Sequence, residues 1–358
     1  MTNALSKTLF KPSGRNIYLD LFKLFLCYMV ICIHLVRDTY PIYPLYRLSV
    51  PMVFLISGYF LYTPDRGKAR SRAPGFIGRC ATYMAVGIVL YTVYEVIAYI
   101  VDGISVGWLL TTLFYDDPAK FWFRFFFENA PIPYYTVGAQ IWFLIALFTV
   151  SLVHYLLAKF GKLGWYKVMV PAAFVCYFFF TAGVYFFQPE TAVQMRYMRN
   201  AWFFGLPCFG LGYLLAGIKW PRTRLAQVIY GVLGVGCFAL QMVEDSLWRT
   251  PNCKIEMYIS GVMAAVCLLQ FFLCIRRASC SFYYDWIGKN ASFYIYILHM
   301  AVAVTLSRFV TFGNLYVNSL AVFGISFVIY EAVFLAGKGW NALKKSRLAG
   351  GGFAEQSS

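Results

Sequence analysis

Ten apolar runs, each long enough to cross a bilayer as a helix, occupy most of this chain and leave few folds open to it. They fall near 17–36, 44–62, 80–101, 138–158, 166–187, 201–218, 225–243, 257–275, 291–311 and 317–337. About 20 helical residues cover the ~30 Å hydrocarbon core, so runs of 18 or more read as spans. At that depth an unsatisfied N–H or C=O group has no water to turn to, which restricts spanning structures to helices and closed barrels. The expected fold class is all-α: a polytopic membrane protein of about ten transmembrane helices. A soluble surface is excluded by composition, since 13% charged residues against 61% hydrophobic ones cannot cover 358 residues.

The basic residues orient the spans. With the N-terminus placed inside, 21 of the 31 lysines and arginines fall in inside segments, nine in outside segments, and Lys23 alone within a span. Every inside segment then carries at least three basic residues and no outside segment more than two, the positive-inside pattern at each crossing. Both termini are expected in the cytoplasm. The net charge of +16 is therefore mainly a topology signal, able also to attract anionic lipid or an anionic cytosolic substrate. No basic cluster has the form of a nucleic-acid module, so no nucleic-acid partner is expected.

The ten cysteines lie in or beside spans except Cys253, which implies no disulfide framework, and no Cys/His cluster suggests a metal. The first span holds charge and lacks a small-residue cleavage site, so it reads as a retained span. The chain reads as one membrane domain over 1–348 with a disordered tail over 349–358. Within the domain, 63–79 reads as a basic cytoplasmic loop with Gly67, Pro74 and Gly75. The outer connection 102–137 holds the aromatic stretch Phe121–Phe127, expected as interfacial or re-entrant helix, with Pro131 and Pro133 ending it.

Ionisable residues within spans mark function by default. The first span carries Asp20, Lys23 and His34. Eleven steps at about 100° bring Lys23 and His34 to one helix face, about 16 Å apart along the axis. Asp20, three residues before Lys23, can pair with it. Histidine is the side chain suited to take and return a proton near neutral pH. The Asp20–Lys23 pair has two readings, self-neutralisation for insertion or a seat for an anionic ligand from the cytosol. In the second span, Ser57 beside Gly58 suits packing or a ligand hydrogen bond. His299 and Glu331 add a second buried histidine and a buried acid. His154, near Lys159, has no assigned role, and Glu95 near a helix end can reach the interface. The same polar stripe also fits a transporter of an amino acid or a lipid-linked glycan.

Together these elements resemble the integral-membrane acyltransferase-3 family. Its opening motif reads here as Asp20-Leu-Phe-Lys23, ten residues, then His34. Its second-span element reads Phe54-Leu-Ile-Ser57-Gly58-Tyr59, and its Trp-Phe-Leu element Trp142-Phe143-Leu144. Tyr294-Ile-Tyr-Ile-Leu-His299 and Glu331 follow in order. There are departures: Lys23 stands where arginine is common, Arg79 stands nearly alone where the family often pairs arginines, and no proline follows Glu331. The lysine form looks closer to the branch that includes the membrane part of vancomycin-resistance serine racemases.

The resemblance implies transfer of an acyl group, usually acetyl, from cytosolic acyl-CoA to a hydroxyl of an extracytoplasmic envelope glycan, in a bacterial cytoplasmic membrane. Acyl-CoA is then a substrate, with no bound cofactor. The resemblance assigns catalysis to His34, Asp20 and Lys23. It assigns substrate and acyl-CoA binding to Ser57, Arg70, Arg72, Arg79, Trp142, His299 and Glu331.

Overall fold

The computed structural model describes residues 10–11, 16–36, 42–103, 118–129, 138–187, 198–248, 255–275, 279–280, 283, 286–287, 290–310 and 312–351. Among them, eight helices are long and apolar enough to cross a membrane. The other two of the ten expected spans form shorter apolar helices, Ala201–Ala216 and Ile259–Cys274. The protein is an all-α polytopic membrane protein, with one pair of two-residue strands as its sheet among the described residues. The chain divides into two compact units, Met1–Leu35 with Arg276–Ser358, and Val36–Ile275.

The first unit joins the two ends of the chain. Strand β1 (Phe10–Lys11) pairs antiparallel with β2 (Ser279–Cys280). Helix α1 (Ile17–Leu35) starts beside Asn16, whose side-chain oxygen accepts from the Tyr18 N–H at 3.1 Å. It packs against α11 (Ala291–Phe309) and α12 (Leu315–Gly351). Cys27 of α1 donates its thiol to the Ser292 carbonyl at 2.9 Å, and Tyr28 meets Phe323 edge to face at 5.9 Å. Tyr330 of α12 donates to the Ile287 carbonyl at 2.7 Å. Because α12 continues to Gly351, 349–351 belong to a helix; 352–358 lie outside the described residues.

The second unit holds α2 (Tyr43–Tyr46), α3 (Ser49–Leu61), α4 (Arg66–Val101), α5 (Pro118–Phe123), α6 (Trp142–Lys159), α7 (Tyr166–Phe187), α8 (Leu206–Ala216), α9 (Arg224–Trp248) and α10 (Ile259–Cys274). Its centre is α8. A Cβ placed on Gly212 would overlap the Leu55 carbonyl of α3, and one on Gly58 would overlap the Phe209 carbonyl of α8. Lipid tails are as apolar as leucine, so close backbone approach through small residues is what holds such helices together. On another side of α8, a Cβ on Gly210 would lie 2.8 Å from the Tyr166 ring of α7.

Helix α9 packs along α10, and its Glu244 caps α10 from outside. That carboxylate accepts from the Ile259 and Ser260 N–H groups at 2.8 and 2.9 Å, satisfying two donors that the helix leaves open. The N-terminus leading into α8 is satisfied by two buried asparagines. Asn200 accepts from the Trp202 and Phe203 N–H groups at 2.9 and 3.0 Å, and Asn129 from that of Ala201 at 2.7 Å.

The stretch 63–79 is not a loop. Helix α4 begins at Arg66, with Asp65 accepting from the Gly67 and Lys68 N–H groups at 2.8 and 3.2 Å, and runs through Pro74 and Gly75. Its 36 residues measure about 54 Å, well beyond the ~30 Å core. The basic part therefore extends the apolar part rather than ending it. Glu95 of this helix does not reach the interface as its position suggests, being 2% exposed.

The aromatic stretch is helical, as its composition predicts: α5 passes into a π-helical turn, Arg124–Glu128, and ends at Asn129 in the left-handed conformation, φ 54°. Pro131 and Pro133 lie outside the described residues.

Candidate active site

Asp20, Lys23, His34, His299 and Glu331 lie in the first unit, and Ser57, Arg70, Arg72, Arg79 and Trp142 in the second. In the first unit α1 is helical without a break from Asp20 to His34, so the stripe read from spacing exists as one face. Near its start Lys23 Nζ lies 3.2 Å from Asp20 Oδ1. The aspartate is buried and the lysine side chain 31% exposed, which keeps the cation within reach of a further anion.

At the other end of α1 the His34 ring lies 5.4 Å, centroid to centroid, from that of His299 on α11. The two histidines are separated by most of the chain, yet their rings share one site. His299 is 1% exposed. Its Nδ1 faces the Tyr296 carbonyl one turn earlier, and a carbonyl can only accept, so Nδ1 carries the hydrogen. Nε2 of the neutral ring is then a lone-pair nitrogen, buried and without a hydrogen-bond partner among the described residues. A buried polar atom left open in this way incurs a desolvation penalty of about 1–3 kcal/mol. Glu331 on α12 shows the same feature, with Oε1 buried and without a hydrogen-bond partner among the described residues.

In the second unit Ser57 donates its hydroxyl to the Val53 carbonyl of its own helix at 2.8 Å. The Ser-Gly element thus serves helix packing through Gly58, with the serine oxygen still able to accept. Arg70, Arg72 and Arg79 are all exposed on α4, but they do not share a face. At 100° per residue Arg72 and Arg79 align, and Arg70 points the opposite way.

Trp142, at the start of α6, belongs to a polar cluster that sequence reading missed. The Arg199 guanidinium lies 5.3 Å from its ring and 3.5 Å from the Glu256 carboxylate. The other Glu256 oxygen accepts from Arg47, which also bonds the Tyr43 hydroxyl and lies 4.8 Å from that ring. No signal in the sequence joins Arg47 to Glu256, which are 209 residues apart. His154, left without a role by the sequence, is also buried; its Nδ1 lies 3.2 Å from the Tyr166 hydroxyl, against the rings of Phe209 and Tyr213.

Eight helices able to cross a membrane, with a histidine pair whose rings lie 5.4 Å apart and a lysine–aspartate pair on the same helix as one of them, define a multi-pass membrane protein with a polar cluster within its first unit. The family model described as an acyltransferase domain matches residues 16–336, nearly the whole described bundle. The chain belongs to this family, acyltransferase-3, and is therefore a membrane acyltransferase. No curated protein and no solved structure gives a match.

Proposed function

We propose that the protein moves an acyl group, acetyl in the first instance, from cytosolic acyl-CoA to a hydroxyl of an extracytoplasmic envelope glycan, in a bacterial cytoplasmic membrane. The observation that carries this reading is the His34–His299 pair, its rings 5.4 Å apart, together with the open Nε2 of His299. In the reaction His34 takes the proton of the acceptor hydroxyl as its oxygen attacks the thioester carbonyl. The carbon–sulfur bond breaks, and the thiolate of CoA leaves with the proton that His34 has gained. His299 holds a second nitrogen at the reacting hydroxyl, and Lys23, braced by Asp20, offers positive charge to the anionic donor.

Ser57, Trp142, Glu331 and the arginines 70, 72 and 79 of α4 are assigned to substrate and donor binding in this scheme. Lys23 at the first basic position supports placement in the lysine branch, beside the membrane part of vancomycin-resistance serine racemases. The test is O-acetylation of envelope glycan, read by mass spectrometry, in a deletion strain complemented with His34→Ala at wild-type protein level. Loss of the acetyl group is expected. Unchanged acetylation overturns the scheme, and acyl-CoA-independent uptake of an amino acid or lipid-linked glycan by vesicles replaces it with transport.

A further inference from the structure

A second polar site lies wholly within the second unit, at the end expected to face the cytosol. The ends of α3, α6 and α8 and the starts of α4 and α7 converge on a cleft of about 470 Å³. Tyr62 and Tyr213 line it, ring edge to ring face at 5.1 Å, and Arg66 and Lys167 line it as well. Tyr213 is 6% exposed, and its hydroxyl makes no hydrogen bond among the described residues. Behind it stands the buried His154–Tyr166 pair, with the His154 ring 5.4 Å and the Tyr166 ring 5.3 Å from that of Tyr213.

The two cations are oddly placed. Arg66 is the first residue of α4 and Lys167 the second of α7. A helix N-terminus already carries about half a positive charge, so a cation there is unfavourable by some tenths of a kcal/mol. Neither helix has an acid in its first turn, and the neighbouring Asp65 carboxylate is engaged with the Gly67 and Lys68 N–H groups. Two cations, two helix N-termini and an open phenol hydroxyl at one cleft suit a multiply charged oxyanion.

We propose that this cleft binds the phosphate of a phosphate ester. Two molecules offer that group here, a soluble phosphorylated donor and an anionic phospholipid whose headgroup reaches the interface. The proposal rests on the proposed function only in taking coenzyme A as one of its two probes.

The experiment uses the full chain, purified in detergent for coenzyme A binding by calorimetry, and in nanodiscs for phosphatidylglycerol retention by native mass spectrometry. Arg66→Gln/Lys167→Gln is compared with Lys219→Gln/Arg224→Gln, which removes equal charge outside the lining. Tyr213→Phe removes the hydroxyl and keeps the ring.

The lining double variant is expected to weaken one probe about tenfold or more at unchanged thermal stability. Tyr213→Phe is expected to weaken the same probe, and the control to leave it. Loss for coenzyme A alone identifies the soluble source, and loss for phosphatidylglycerol alone the lipid. Wild-type protein binding neither probe, a lining variant binding both as wild type does, or equal loss in the control overturns the proposal. A protein whose cleft behaves as expected while His34→Ala still acetylates refutes the proposed reaction and leaves the cleft standing.

Discussion

Replacing Glu256 by glutamine isolates the polar cluster that ties α2 to the segment preceding α10. The wild-type carboxylate takes Arg47 on one oxygen and Arg199 on the other. The Arg47 and Glu256 side chains are 10% and 11% exposed, so solvent screens this pair little, whereas Arg199 is 31% exposed. Glu256→Gln leaves two guanidiniums facing one neutral amide, with Arg47 still buried. Removing one partner of a buried pair costs about 3–5 kcal/mol, because the other charge stays uncompensated. Arg199→Gln removes a longer and wetter contact and is expected to cost about 1 kcal/mol or less. Arg47→Met/Glu256→Leu removes both buried charges together and is expected to recover most of the loss. The assay is reversible unfolding of the purified protein in mixed micelles against SDS fraction, followed by tryptophan fluorescence. Glu256→Gln within about 1 kcal/mol of wild type, or less damaging than Arg199→Gln, refutes the argument.

Two further outcomes test the packing. Gly212→Ala is expected to lose about 1–3 kcal/mol in the same assay, since the new methyl meets the Leu55 backbone, whereas Gly236→Ala, in open space on α9, is neutral or gains up to about 1 kcal/mol. Equal effects of the two would show that the α3–α8 crossing is looser than the backbone approach implies. Glu244→Ala exposes the N–H groups at the start of α10 and is expected to cost about 1–2 kcal/mol, with faster amide exchange at Ile259 and Ser260; unchanged exchange would mean that water replaces the cap.

Spans were legible in the sequence because lipid imposes one rule on every residue of a long apolar run, and helices such as α1, α7 and α9 fall where their runs predict. The start of α4 was not legible: a basic segment with Pro74 and Gly75 looks like a loop, and what makes it helical is the Asp65 cap and the stiff apolar helix it continues into. The face shared by Lys23 and His34 follows from helical periodicity alone. The meeting of His34 with His299 does not, because it depends on how α1 and α11 pack, and periodicity says nothing of a helix's neighbour. The same holds for Arg47, Arg199 and Glu256, which read as ordinary outer-loop charges until the chain is folded.

The pairing of the chain's ends also has a consequence in time. Helix α1 is made before α2–α10, and its partners α11 and α12 after them. At roughly 5–20 residues per second, the ~250 residues between Leu35 and Ala291 take about 12–50 s to synthesise. Through that interval the polar face of α1 is in or beside the bilayer without the helices that will cover it. A charge three residues from its counter-ion needs no other helix to be neutralised. The Asp20–Lys23 bridge thus acts as a built-in escort, shielding the polar face of α1 during its own biogenesis.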